Sequence, residues 1–217
     1  MPNWEKLAAA KADWARQGRL LTGRSADPAT ERLPPGQELT GGWPVLDLGN
    51  QPVIVPRDWT LTVGGMVRKA LRWSYADLGR QRQSTPVTDI HCVTGWSRYD
   101  NRWQGVSGAD LLAAVQPRAE ARFVIIKGYD GYTTCLPVED LRRDGVLLAT
   151  HWEGEALTRA HGGPVRLLVP HLYLWKSAKW LRQLWFTDTD VKGTWEARGY
   201  HRRGDPWREE RYGSSGR

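Results

Sequence analysis

Four short runs dominate what this chain can fold into. "WTLTVGGMV", "FVIIKGY", "VRLLVP" and "LRQLWFTD" are each rich in β-branched or aromatic residues and bounded by turn residues. Between them lie two short helical candidates, "SYADLGRQ" and "SGADLLAAV". Each places a serine three residues ahead of an aspartate, Ser74 before Asp77 and Ser107 before Asp110, the pattern of a side-chain cap followed by an acidic first turn. The elements follow no strict strand–helix alternation, which argues against a doubly wound sheet and predicts an α+β fold of mixed β-sheets with short helices.

A chain of 217 residues can bury one sizeable core and leaves no room for two generous domains. Residues Trp4 to Leu21 carry apolar positions at near-helical spacing and stop at Gly23. The following "ADPATERLPPGQELTGGWP", rich in Pro, Gly and Thr, reads as an extended arm. The expected organisation is an N-terminal helix and arm over residues 1–40 and a single domain over 41–217. No apolar run is long enough to cross a bilayer, which excludes membrane insertion. The first residues set Glu5, Asp13 and Arg16 among the apolar positions, so a secretory h-region is lacking and a cytoplasmic location is expected. In that compartment the only cysteines, Cys92 and Cys135, are expected as free thiols.

The stretch "DIHCVTGWSR" leaves Cys92 open as packing, half of a disulfide, or a ligand. No pair among His91, Cys92, Cys135, His151, His161, His171 and His201 shows the close spacing of a zinc site. In an extended segment His91 and Cys92 point to opposite sides, so His91 is expected as a half-buried strand residue. A hydrolytic nucleophile is no better supported, since "TGWSR" lacks the second glycine of a nucleophile elbow. The formal charge of +7 favours an anionic partner and does not choose among nucleic acid, a membrane surface and a phosphorylated cofactor. Lys and Arg do not alternate with the 13 tryptophans along any one strand, so packing is preferred to base stacking and nucleic acid is disfavoured as a partner. A second unusual stretch, "HGGPVRLLVPHLYLWKSAKW", runs from His161 to Trp180. Its turn at Gly162, Gly163 and Pro164, with Arg166 beyond it and Lys176 and Lys179 after the next proline, could hold a phosphate by a guanidinium fork, an ammonium and main-chain N–H groups. A snorkelling arginine and a basic surface loop would look the same.

Taken together and in order, these stretches resemble the sulfite oxidase-like family of molybdopterin-dependent oxidoreductases, in particular its short prokaryotic members that consist of the cofactor domain. The resemblance runs from "LPPGQELTGGWPVL" through "DIHCVTGWSRYDNRWQGVSGADLL", "DGYTTCLPVEDL" and "HGGPVRLLVPHLYLWKSAKWLRQLWF" to "GTWEARGYHRRGDPWREERY". It implies that the Cys92 thiolate ligates molybdenum, or tungsten in its place, alongside a pyranopterin dithiolene. It further implies that His161, Arg166, Lys176, Ser177, Ala178 and Lys179 contact the cofactor, chiefly its phosphate. Tyr132, in "GYTTCLP", stands where a tyrosine faces the metal, and Trp96 and Arg98 are expected beside the substrate. Ser97 replaces the anion-binding arginine of sulfite oxidases, and Leu48 and Asn50 replace an Arg and a His of that pattern. These departures point away from sulfite, with Asn50 still counted among the cofactor-binding residues. Cys135 acquires no role and is expected as a small buried residue.

The implied activity is a two-electron redox reaction, oxygen-atom transfer at the sulfur or nitrogen of a small molecule. Neither a haem nor a flavin signature is present, so electrons are expected to pass to or from a separate carrier. The rival from another class is a basic nucleic-acid or anion-binding module that kept the fold and lost the metal.

Overall fold

The computed structural model describes residues 32–213, and the helix expected over Trp4 to Leu21 lies outside them. The strands, in chain order, are β1 (Glu38–Leu39), β2 (Thr60–Gly65), β3 (Leu71–Ser74), β4 (Val87–His91), β5 (Trp96–Ser107), β6 (Phe123–Gly128), β7 (Thr133–Pro137), β8 (Leu147–Trp152), β9 (Glu155–Ala156), β10 (Arg166–Leu168) and β11 (Leu181–Thr187). The helices are α1 (Tyr75–Arg80) and α2 (Gly108–Val115). All four β-like runs contain strands, β2, β6, β10 and β11. Both helices start where the serines foretold. Ser74 accepts from the Asp77 amide at 3.1 Å while the Asp77 carboxylate accepts from the Ser74 amide at 2.8 Å, a reciprocal capping box. Ser107 accepts from the Asp110 amide at 3.0 Å.

The strands form two mixed sheets. One has five strands in the order β3-β2-β11-β6-β7; the other has six, with β1-β5-β8-β10 as its path, β4 beside β5 and β9 beside β8. The β1–β5 and β2–β11 pairs are parallel and the rest antiparallel. This is the α+β architecture expected.

The main core lies between the sheets, where Leu61, Val63, Ile126, Leu184 and Phe186 of one meet Val106, Leu148 and Leu167 of the other, sealed by Leu111, Leu112 and Val115 of α2. The six-stranded sheet is buried on its second face as well. There Leu147, Ala149 and Leu168 pack with Ile90 and Trp103, under Trp43, Trp96, Trp152 and Leu174. A sheet covered on both sides has no polar face, so Leu147–Ala149 of β8 and Leu167–Leu168 of β10 are apolar without alternation. Because side chains alternate, Arg166 projects on the Leu168 side, toward the smaller cluster and the site.

The arm joins this sheet ahead of the boundary expected near Gly41. β1 pairs with the start of β5, Glu38 and Thr40 donating to the carbonyls of Gly95 and Ser97 at 2.8 and 2.9 Å. Among the described residues, no helix is long and apolar enough to cross a membrane.

At Gly105 the long strand β5 shifts register against β8 and also bridges to Ser84. A Cβ built there would lie 2.1 Å from the Leu148 carbonyl oxygen, so no side chain fits without opening the pair. Gly105→Ala is expected to cost about 1–3 kcal/mol, the usual range for overpacking, measured as a lower urea midpoint with the m-value retained.

Candidate active site

Cys92 sits at the reversal between β4 and β5. Its amide donates to the Trp96 carbonyl at 2.8 Å and its carbonyl accepts from Gly95 at 3.0 Å, closing a tight turn. Gly95 takes φ +99°, the left-handed region that favours glycine, which is why "CVTG" can turn here. Gln37 of the arm donates to the Cys92 carbonyl at 3.1 Å and accepts from Ser97 at 3.1 Å. Ser97 Oγ in turn meets His91 Nδ1 at 2.8 Å. His91 is therefore fully enclosed, not half-buried, because the arm covers the end of β4; burial pushes its pKa down to about 4. The Thr94 hydroxyl donates to Cys92 Sγ at 3.1 Å.

The second half is built by β10 and the loops around it. The 3-10 turn Arg159–His161 ends at Gly162 with φ +95°, where a Cβ would fall 2.8 Å from Lys179 Cβ. Glycine thus lets the Lys179 segment lie against the turn. The Arg166 guanidinium is buried and donates to the carbonyls of His161 and Ser177, at 3.0 Å each. It lies 5.2 Å from the Trp43 ring centre, and among the described residues no carboxylate pairs with it. Burial lowers its pKa to about 10, which leaves it charged at neutral pH. Lys179 Nζ donates to the Ala160 carbonyl at 2.7 Å and stands 3.9 Å from Asp47. Burial, then the Arg166 charge, lowers the Lys179 pKa to about 8. Burial and both cations hold His161 near 4, so its imidazole is neutral; it stacks on Trp43 at 3.9 Å with Nδ1 buried and unpartnered among the described residues. Among the described residues, no acceptor takes the amides of Ala178 or Lys179.

A cavity of about 300 Å³ joins the two halves. Of the expected residues, Cys92, Trp96, Tyr132, Arg166, Ser177, Ala178 and Lys179 line it, and His161 backs it through Trp43. The Tyr132 hydroxyl donates to the Trp175 carbonyl, and burial holds its pKa well above the usual phenol range, so it stays neutral. The indole N–H groups of Trp96 and Trp175 are buried and unpartnered among the described residues.

Three expectations are corrected. Arg98 does not line the cavity: it stacks on Trp152 at 4.7 Å, pairs with Glu153 at 3.3 Å and bonds Asn101. Lys176 is enclosed within the protein, its ammonium bound to Glu196 and to the Cys135 carbonyl, because the 3-10 turn Leu174–Lys176 points it beneath the site. Asn50 is exposed and does not line the cavity. Trp43, Asp47 and Tyr200 line the cavity without having been singled out. The available signal was Trp43 itself, a tryptophan between Gly-Gly and Pro in an otherwise polar arm. Cys135 is buried as expected.

Among the described residues, no three His, Cys, Asp or Glu side chains stand where they could hold a metal ion. A metal at Cys92 would therefore take its remaining ligands from a cofactor. The Arg166 guanidinium without a carboxylate, the neighbouring Lys179 ammonium and the free amides at the other end of the cavity suit that cofactor's phosphate. Fold and site together define a pocket for a phosphate-bearing cofactor, with a thiol at one end and anion-binding groups at the other.

Residues 48–195 match the oxidoreductase molybdopterin binding domain, and the chain belongs to that family. It is a molybdenum-dependent oxidoreductase of the sulfite oxidase type and binds a molybdopterin cofactor. An uncharacterized oxidoreductase, YuiH, of Bacillus subtilis (strain 168) is 44% identical over 182 residues, covering 83% of this chain and 92% of the relative. The protein-methionine-sulfoxide reductase catalytic subunit MsrP of Campylobacter jejuni is 29% identical over 164 residues, covering 65% of this chain and 53% of its own. The chain thus spans about half of that relative. The sulfane dehydrogenase SoxCD of Paracoccus pantotrophus matches in structure with a TM-score of 0.59 at 26% identity, over 65% of this chain and 41% of that one.

The folded state keeps His91 and His161 neutral down to about pH 4, whereas in the unfolded chain they protonate near 6.5. Their depressed values stabilise the fold above 6.5, and that contribution is lost as pH falls toward 4. His161→Asn in cofactor-free protein is expected to weaken the pH dependence of the unfolding free energy across this window by about one proton, read from urea titrations at stepped pH.

Proposed function

We propose that this oxidoreductase transfers an oxygen atom at the sulfur of a small neutral substrate, a sulfoxide rather than sulfite, and exchanges electrons with a separate carrier. The observation that carries the reading is the polarity of the cavity. Its buried cations, Arg166 and Lys179, stand together in the β10 half with the free amides of Ala178 and Lys179. The rest of the wall is mostly apolar, with Leu46, Trp96, Tyr132, Trp195 and Tyr200 among its residues; its carboxylates, Asp47 and Asp130, act on Lys179, and Arg98 is engaged elsewhere. In this reading the phosphate occupies the cations, and the wall left for substrate suits an apolar molecule with one polar oxygen.

When bound, the cofactor supplies a two-electron couple and a site for the transferred oxygen. Cys92 anchors the metal. Arg166, Lys179 and the Ala178 amide hold the phosphate, and Ser177 orients Arg166 through its carbonyl while its hydroxyl accepts from Val169 at 2.9 Å. Tyr132 fixes Trp175 by donating to its carbonyl, which holds this part of the wall in place. The names of relatives lend support: MsrP is a methionine-sulfoxide reductase and SoxCD a sulfane dehydrogenase. MsrP is moreover named a catalytic subunit, in keeping with an outside electron carrier.

Purified protein is expected to hold close to stoichiometric molybdenum or tungsten by elemental analysis, and Cys92→Ser and Arg166→Met to retain at least about tenfold less. With an artificial reductant, methionine sulfoxide or dimethyl sulfoxide should turn over faster than sulfite is oxidised with an artificial oxidant. Faster sulfite turnover refutes the substrate assignment. A Cys92→Ser protein with full metal refutes the ligand assignment, and a metal-free protein whose nucleic-acid affinity falls steeply with salt supports the binding module instead.

A further inference from the structure

The geometry points to Thr94 as the hydrogen-bond donor that tunes the Cys92 sulfur, and to Arg211 as the positioning residue that holds Thr94 in place. This rests on the reading of Cys92 as the metal ligand. The Thr94 hydroxyl lies 3.1 Å from Cys92 Sγ and Thr94 itself lines the cavity. A threonine in an exposed four-residue reversal could as readily face water, so something must fix it.

The peptides around Cys92 are tied one after another. Its amide is bound by the Trp96 carbonyl, and its carbonyl by Gly95 and Gln37. The next carbonyl, that of Val93, belongs to the peptide that carries Thr94, and it accepts from Arg211 Nη1. Arg211 Nη2 donates at 3.0 Å to the Gly36 carbonyl, and its guanidinium lies 5.3 Å from the Tyr173 ring centre. A Cβ at Gly36 would stand 3.1 Å from Arg211 Nη2, so the glycine, at φ +64°, admits the guanidinium. A planar fork with one nitrogen on each carbonyl fixes the Val93–Thr94 peptide plane in a way a single ammonium does not. Gly36 and Arg211 both fall outside the span 48–195 that defines the family domain.

A hydrogen bond to a ligating thiolate withdraws electron density from sulfur, weakens its donation to the metal and favours the reduced state. In the loaded enzyme, Thr94→Val is therefore expected to lower the metal's midpoint potential and move the sulfur-to-metal charge-transfer band to lower energy. Thr94→Ser, which keeps the hydroxyl, should stay near wild type. Arg211→Gln should shift both quantities in the same direction as Thr94→Val, with Arg211→Lys partly restoring them, while metal content is retained. Should Thr94→Val fail to load, the two Arg211 variants decide the matter. The proposal is overturned if Thr94→Val is fully loaded with potential and band unchanged, if Thr94→Ser shifts as far as Thr94→Val, or if both Arg211 variants match wild type. A band in wild type that survives Cys92→Ser would overturn the ligand assignment itself, a result distinct from each of these.

Discussion

The site depends on a buried guanidinium without a counter-charge. Removing an ion from water costs several kcal/mol unless hydrogen bonds and an opposite charge compensate. Arg166 has the hydrogen bonds, to the carbonyls of His161 and Ser177, and lacks the charge among the described residues. Those bonds span the turn Arg159–His161 and the loop after Leu174–Lys176, so the same residue that waits for an anion also shapes the floor on which the anion would lie. Its neighbours share the cost of burial: burial first, then the Arg166 charge, lowers Lys179 to about 8 and His161 to about 4. A phosphate would relieve all three, and binding to the folded state alone stabilises it by mass action.

Two lysines three residues apart meet opposite fates. Lys176 is neutralised by Glu196, which also accepts from Thr134 at 2.7 Å, and this buried pair ties the loop to β7 from beneath. Lys179 has a looser pair, with Asp47 at 3.9 Å, the field of Asp130 and a bond to the Ala160 carbonyl. A tight pair below and a looser one above give the loop a fixed base and a face that can still take an anion. Burying either partner of the Lys176 pair alone would leave a naked charge, so its function is structural even though it lies in the same loop as Lys179.

How far the sequence revealed this follows from which features depend on local pattern. The capped helices and the strands β2, β6, β10 and β11 carry their signals in adjacent residues, and each was legible. β8 was not, because "LLATHW" is mostly buried and shows no alternation, and β5 was hidden by the charged residues of "WSRYDNRW", where Arg98 and Asp100 pair with Glu153 and Arg32 outside the strands. In the site, Cys92, Arg166 and Lys179 stood out by chemistry and order. Arg98, Lys176 and Asn50 were misassigned because the direction of a side chain is set by a strand register, a 3-10 turn and a loop path, none of which is written in residue type. Trp43 was missed for the converse reason: its partner His161 lies far along the chain, and their stacking at 3.9 Å exists only once the arm has folded over β10.

That arm raises a last point about what counts as the domain. The matched span covers residues 48–195, yet Gln37 and Arg211 bind successive carbonyls at Cys92 and Val93, and Trp43 covers Arg166. A metal ligand on a four-residue reversal needs its peptide planes fixed, since a loop otherwise samples several geometries and would spread the sulfur over them. Strand pairing with β5 restrains the ends of the reversal and leaves its middle free. The segments on either side of the matched span supply the missing restraints, one from the amide of Gln37 and one from the guanidinium of Arg211. The pocket for the cofactor is thus shared between the matched span and its flanks, which contribute Trp43, Asp47 and Tyr200 to the wall, while the restraints on the middle of the reversal come from the flanks alone.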